Sequence, residues 1–285
     1  MRDAEPEVVS PTRLAEAYGL LAAGPIRPIA GGTDLMVALA SEAIEPPDRV
    51  LDLWRLDELR GIAIDGPDLV VGALTTWTEL RRSALVRDRL PALAQAAATI
   101  GAAQIQNRGT IGGNAVNASP AGDSLPVLLA TDASLEVGGP RGERSIPAAG
   151  FWPGYRRTAL SADELLLRVR FPALGGRVVA YRKVGTRRAQ AISKVVMAVS
   201  WRPDADGRWR DVRVALGSVA ATPIRATATE ASLEGSLPDV ATAERAGAAL
   251  LAEIHPIDDV RSTADHRRAV SARILVRLIR ETGGW

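Results

Sequence analysis

Arg27-Pro28-Ile29-Ala30-Gly31-Gly32-Thr33-Asp34-Leu35 reads as a short strand that enters a glycine turn and leaves it as a helix, carried on by the apolar run 35–40. Paired glycines at such a junction let the backbone turn tightly and bring successive N–H groups to face one point. A nest of this kind binds phosphate oxygens, and the helix N-terminus beside it adds a favourable dipole. The stretch is neither a G-x-G-x-x-G dinucleotide pattern nor a Walker A loop. On its own, a glycine pair at a strand end is more often only a turn.

Outward from this turn the chain alternates helix and strand. Residues 10–21 read as a helix with Ser10 as N-cap, Pro11 at the first helical position, and Leu14, Ala17 and Leu21 on one face. Residues 69–73 form a short buried strand, and Thr76 with Glu79 has the spacing of a capping box. An alanine-rich helix is expected over 91–105, ending in a loop over 106–114. Residues 126–130 read as helix, 134–137 as strand, 138–142 as a hairpin-like turn and 165–171 as a half-buried strand. The pattern changes after Pro172. Strands are expected at 195–201 and 212–219, joined by the turn 204–207, and helices at 241–254 and 267–280, separated by Pro256. The resulting fold class is α+β, with an α/β domain over 1–173 and a smaller α+β domain over 177–285.

The second glycine pair, Gly112-Gly113, is flanked by Thr110 and Asn114, whose side chains add hydrogen-bonding groups. Two such loops in one domain suit a ligand with two phosphates. Positive φ is expected at Gly32 and Gly113, so valine at either should weaken ligand binding while sparing the fold. Asp123 stands before a helix, either as its cap or as an acceptor for sugar hydroxyls.

Composition narrows the function classes. In a chain of 285 residues, 47% hydrophobic and 24% charged is the balance of an ordinary globular protein of two domains. A net charge of +2 calls for no nucleic acid, and the pI of about 9.4 comes from scattered arginines. With no cysteine, the chain can hold neither an ordinary iron–sulfur cluster nor a disulfide. His255 and His266 lack ligand spacing and read as structural or surface residues, so any metal belongs to another chain. The charged first ten residues are unlike a signal peptide and no membrane span is visible, so cytoplasm is the default location.

Several segments together resemble one family. They are 30–35, 107–114 with Asp123 nine residues beyond Asn114, Glu164-Leu165-Leu166-Leu167, Tyr181-Arg182-Lys183-Val184, the segment 214–222 and a closing helix at 258–261. The combination is similar to the FAD-binding medium subunit of the xanthine dehydrogenase / carbon monoxide dehydrogenase (molybdenum hydroxylase) family, over nearly the whole chain. The resemblance implies a two-part FAD-binding domain of the vanillyl-alcohol-oxidase (PCMH) type, split near residue 58, followed by a small domain of antiparallel sheet and helices. It implies that Ile29, Ala30, Gly31, Gly32, Thr33, Asp34 and Leu35, with Thr110, Ile111, Gly112, Gly113 and Asn114, hold the FAD pyrophosphate and adjoining ribityl chain. Asp123 would bond a ribose or ribityl hydroxyl, Ile100 would pack near the flavin, and Leu166 and Lys183 would complete the pocket. As residues alone, Ile100 and Leu166 read as core and Lys183 as a solvated charge.

The implied protein is an oxidoreductase subunit with no catalytic side chain of its own. Its implied partners are an iron–sulfur small subunit, which delivers electrons, and a molybdenum-cofactor large subunit, which hydroxylates the substrate. The lone chain would then carry neither iron nor molybdenum. Several relatives have an aromatic residue over the flavin in the loop after Lys183, where this chain has Arg187-Arg188-Ala189-Gln190-Ala191-Ile192. The rival reading is a stand-alone FAD-dependent oxidase or reductase, or a non-catalytic flavin-binding module.

Overall fold

A computed structural model describes residues 5–187 and 190–285; Arg188 and Ala189 of the loop after Lys183, and residues 1–4, lie outside the described residues. The described chain is α+β and carries three sheets. The first is parallel, in the order β1 (Glu7–Val9), β3 (Arg49–Asp52), β2 (Arg27–Ile29). Helices α1 (Leu14–Ala22) and α2 (Leu35–Ala40) lead out of β1 and β2. The helix expected from Ser10 starts four residues later. The Ser10 hydroxyl donates to Asp52 at 3.1 Å instead of capping, and the free N–H of Leu14 is taken by the Glu58 carboxylate at 2.9 Å. A tertiary carboxylate thus replaces the local cap, which sequence spacing cannot reveal.

The second sheet is antiparallel: β4 (Ile62–Asp65), β5 (Asp68–Gly72), β8 (Leu165–Phe171), β6 (Ser134–Gly139), β7 (Gly142–Pro147). In β8 the side chains of Leu165, Leu167, Val169 and Phe171 are buried, while Arg168 and Arg170 point outward to Glu136 on β6. That alternation is why the strand was readable. Helices α3 (Trp77–Arg82), α4 (Ala84–Arg89) and α5 (Pro91–Thr99) follow β5. The capping box forms as expected: Thr76 Oγ1 accepts from the Glu79 N–H at 3.3 Å and the Glu79 carboxylate takes the Thr76 N–H at 2.7 Å.

The region 91–114 departs from expectation. Gly101 adopts φ +57°, which ends α5 and starts α6 (Ala103–Arg108). The expected loop 106–114 is the end of α6, a two-residue link, and the first turn of α7 (Ile111–Asn117). Helices α8 (Leu125–Ala130) and α9 (Ala148–Phe151) complete this layer.

The third sheet is antiparallel: β12 (Ile224–Arg225), β11 (Trp209–Gly217), β10 (Val195–Pro203), β9 (Val178–Val184). Strand β10 is apolar on both faces because both are covered. Val196 and Ala198 join the core that includes α8, whereas Val195, Met197, Val199 and Trp201 face α10 (Thr227–Leu233), α11 (Val240–Glu253) and α12 (Ala264–Gly283). The expected closing helix at 258–261 is a turn with an Asp259–Ser262 bridge, and α12 begins only after the Thr263 cap. No described helix is long and apolar enough to cross a membrane.

Candidate functional site

A cavity of about 490 Å³ opens where β2 ends, with α6, α7 and the start of β8 as its other walls. Ile29, Ala30, Gly31, Gly32, Thr33, Asp34 and Leu35 all line it, as do Ile100, Thr110, Gly112, Gly113, Asn114 and Leu166. Three expected residues lie elsewhere. Ile111 is fully buried in the core, and Asp123 and Lys183 pair with each other behind the wall that contains Ile100.

The first turn has the chemistry of an anion nest. Gly32 takes φ +75°, and the N–H groups of Gly31, Gly32, Thr33 and Asp34 have no acceptor among the described residues. Four successive unpaired donors at a cavity wall leave free energy available to a ligand that accepts from them. Its seat is tight. A side chain at Gly31 would put its Cβ 1.8 Å from the Arg108 carbonyl oxygen, so the end of α6 rests directly on the turn. Arg108 in turn stacks on Trp54, its guanidinium 3.8 Å from the ring centre, with Arg60 at 4.5 Å.

The second glycine pair works differently from the sequence expectation. Gly113 is helical, without positive φ. Every N–H from 111 to 114 already has a partner: Ile111 donates to Thr75 O, Gly112 to Ala73 O, Gly113 to Thr110 Oγ1 and Asn114 to Thr110 O, at 2.9–3.1 Å. Here glycine serves close packing. A Cβ on Gly112 would lie 2.6 Å from both Cβ and O of Ala73, so α7 is drawn against the end of β5. The pair shapes the wall of the cavity and leaves the free donors to Gly31 and its neighbours.

Asp123 is not a helix cap, because Ser124 occupies that position before α8. Its carboxylate accepts from Lys183 Nζ at 2.5 Å and from Ser193 Oγ at 2.5 Å, and Lys183 also donates to Thr99 O at 2.9 Å. Both side chains of the ion pair are only 9% exposed, so Lys183 is a buried charge rather than a solvated one. Burial pushes the Asp123 carboxyl up against the pull of Lys183 and Ser193. Ser124 Oγ donates to Asn114 Oδ1 at 2.8 Å, which ties this cluster to the cavity wall.

Residues that sequence reading missed also line the cavity: Asn117, Arg156 and Glu164. Asn117 is three residues beyond Asn114 on one helix and becomes visible once 111–117 is read as helical. Arg156 sits in an irregular segment with no motif around it. Glu164 is clamped by Arg144 at 2.8 and 2.7 Å and accepts from the Ser161 N–H at 2.8 Å, and these bonds, led by Arg144, hold its carboxyl down at about 2. Its pKa is thus lower folded than unfolded, so the stabilisation is full above about pH 4.5 and fades as pH falls toward 2. Arg144 is half exposed, which limits the effect to roughly 1–2 kcal/mol. In urea titrations between about pH 5 and about pH 2.5, Glu164→Gln should show a flatter loss of stability than the parent. Parallel curves would refute the assignment.

Among the described residues no group of three or more His, Asp or Glu could hold a metal ion, and both His255 and His266 are exposed.

Comparison with known proteins matches residues 4–174 to the FAD binding domain in molybdopterin dehydrogenase and residues 180–282 to the CO dehydrogenase flavoprotein C-terminal domain. The chain is 32% identical over 279 residues to the carbon monoxide dehydrogenase medium chain of Hydrogenophaga pseudoflava, covering 96% of this chain and 95% of the relative. It is 33% identical over 280 residues to the xanthine dehydrogenase FAD-binding subunit of Escherichia coli O157:H7, covering 95% of each. Among solved structures, carbon monoxide dehydrogenase from Hydrogenophaga pseudoflava superposes with a TM-score of 0.92 at 33% identity, over 97% of this chain and 96% of that one. A chain of quinoline 2-oxidoreductase from Pseudomonas putida 86 gives a TM-score of 0.92 at 27% identity, over 100% and 99%.

Proposed function

We propose, from the premise that this chain belongs to the family of FAD-binding medium subunits of molybdenum hydroxylases such as carbon monoxide and xanthine dehydrogenase, that it relays electrons from an iron–sulfur subunit to an external acceptor. It is an oxidoreductase subunit and its cofactor is FAD. FAD supplies the redox chemistry when bound; the chain binds and orients it and keeps water from its faces. The observation that supports the reading is the turn 31–34, whose four unpaired N–H groups suit a phosphate ligand.

In this reading Gly31, Gly32, Thr33 and Asp34 hold the pyrophosphate, and Ile29, Ala30, Leu35 and the helical Thr110, Gly112, Gly113 and Asn114 shape its bed. Ile100 and Leu166 supply apolar wall for the flavin. Ile111 supports that wall from the core, and Asp123 with Lys183 fixes the Thr99–Ile100 corner from behind. The functional units are 1–173, divided near 58, and 177–285. The partners are an iron–sulfur small subunit and a molybdenum-cofactor large subunit, in the cytoplasm.

The purified full chain should be yellow and release intact FAD on denaturation, since it has no cysteine and neither His255 nor His266 lines the cavity to tether the cofactor. Protein that stays colourless after incubation with excess FAD would refute the cofactor role. Co-purification from the host with cysteine-rich and molybdenum-containing chains supports the relay. Substrate-dependent bleaching by the lone chain would instead establish a self-sufficient oxidase or reductase.

A further inference from the structure

Four charged side chains line the cavity: Arg27, Asp34, Arg156 and Glu164. Glu164 is neutralised by Arg144. Arg27 opens β2, four residues before Gly31, and so stands about 13 Å of extended chain away from the nest. Arg156 is different. Its Nη1 donates to Asn117 Oδ1 at a long 3.4 Å and its Nε to Tyr155 Oη at 3.4 Å. A guanidinium has five donors, so most of its capacity is unspent. Asn117 ends α7, and Asp34 shares both a hydrogen bond with Asn117 and the field of Arg156. The guanidinium therefore stands beside the place where the nest meets the end of α7.

The backbone at Arg156 is also unusual. It takes φ +50°, a region that residues with a Cβ adopt at a cost, and the Gly154–Arg157 bridge holds it there. Glycine would suit this position better on conformational grounds alone. An arginine there, exposed to solvent at the cavity lining and held only by two long hydrogen bonds and the Tyr155 ring at 5.9 Å, has donors left for a ligand.

Resting on the FAD assignment, we infer that Arg156 is the cation that binds the diphosphate bridge of the cofactor, together with the N–H groups of 31–34. The nest supplies dipoles but no full charge, and Asp34 beside it repels an anion. A guanidinium matches phosphate oxygens in charge and in its forked geometry.

The test measures FAD affinity of the full chain after cofactor removal, at low and high salt, for the parent and for Arg156→Met, Arg156→Lys, Arg156→Gly and Asp34→Asn/Arg156→Met. Arg156→Met should bind FAD about tenfold or more weakly at low salt and depend less on salt than the parent, with Arg156→Lys between them. Arg156→Gly should raise the melting temperature of the cofactor-free chain while weakening FAD, a combination that a purely structural arginine would not give. The inference fails if Arg156→Met binds FAD as tightly as the parent, or if its loss is the same at both salt levels. It fails too if Asp34→Asn/Arg156→Met regains parental affinity, because Arg156 would then only neutralise Asp34. A parent chain that takes up no FAD would refute the cofactor assignment itself; a parent that binds FAD beside an equally tight Arg156→Met refutes only the role of Arg156.

Discussion

Gly31→Ala is expected to weaken FAD binding by about a hundredfold or more, the largest effect of any glycine in either pair. Its new Cβ would lie 1.8 Å from the Arg108 carbonyl oxygen and 2.5 Å from the carbonyl carbon, and neither atom can swing aside as a side chain could. Either α6 lifts from the turn or the turn peels away from α6, and both movements carry the free N–H groups out of register. Gly32→Ala is milder. Its φ of +75° costs alanine on the order of 1 kcal/mol, but its Cβ meets only side-chain atoms, the flexible end of Ile29 at 3.3 Å and Met36 at 3.5 Å. That should cost roughly three- to tenfold in affinity. Gly113→Ala should cost least, because the position is helical and the single close atom is Thr110 Oγ1 at 3.0 Å. FAD titrations on folded, cofactor-free variants rank the three. A Gly113→Ala defect as large as that of Gly31→Ala would overturn this account of the nest.

Lys183→Met should destabilise the chain by about 3–5 kcal/mol, a large share of the total stability of a typical domain. It leaves the Asp123 carboxylate buried with only Ser193 for a partner. Burial already raises the pKa of this carboxyl, and without Lys183 it rises further. An acid whose folded pKa lies above its unfolded value contributes stability below the unfolded value of 3.8, and loses it as pH rises through the folded pKa. The gap between variant and parent should therefore be widest at neutral pH and narrow on acidification. Asp123→Asn added to Lys183→Met should recover most of the loss at pH 7, since a neutral amide needs no counter-charge. Denaturant midpoints of the parent, the single and the double variant decide the matter. A constant gap across pH, or no recovery in the double variant, would show that Lys183 matters for its packing and not for its charge.

What could be read from the sequence follows the range of the interactions involved. The Thr76–Glu79 box spans three residues, β8 alternates residue by residue, and the turn after β2 carries its own glycines, so each was legible locally. The expected start of α1 failed because the group that caps Leu14 lies 44 residues away. The second glycine pair departs from expectation for a related reason. Gly112 is small because Ala73 presses on it, a fact that no neighbour in sequence announces, and the helix around it leaves no N–H to spare. Lys183 looked solvated because its acceptor, Asp123, is 60 residues back in the chain. Arg156 had no local signal at all. Family resemblance brought Lys183 and Asp123 to attention, but their partnership with each other became visible only in the fold.

The cluster behind Ile100 draws Thr99 from α5, Asp123 from the turn before α8, Lys183 from β9 and Ser193 from just before β10. Its members are drawn from both sides of residue 173, and each is nearly or wholly closed to solvent or bonded to one that is. A hybrid that joins the front of this chain to the back of a distant relative would need a matching quartet, however well its two halves fold. The two segments are thereby coupled: a change of charge at Asp123 or Lys183 would call for its answer in the other, so a chimaera with its breakpoint near residue 175 should fold best when both parents carry the same pair.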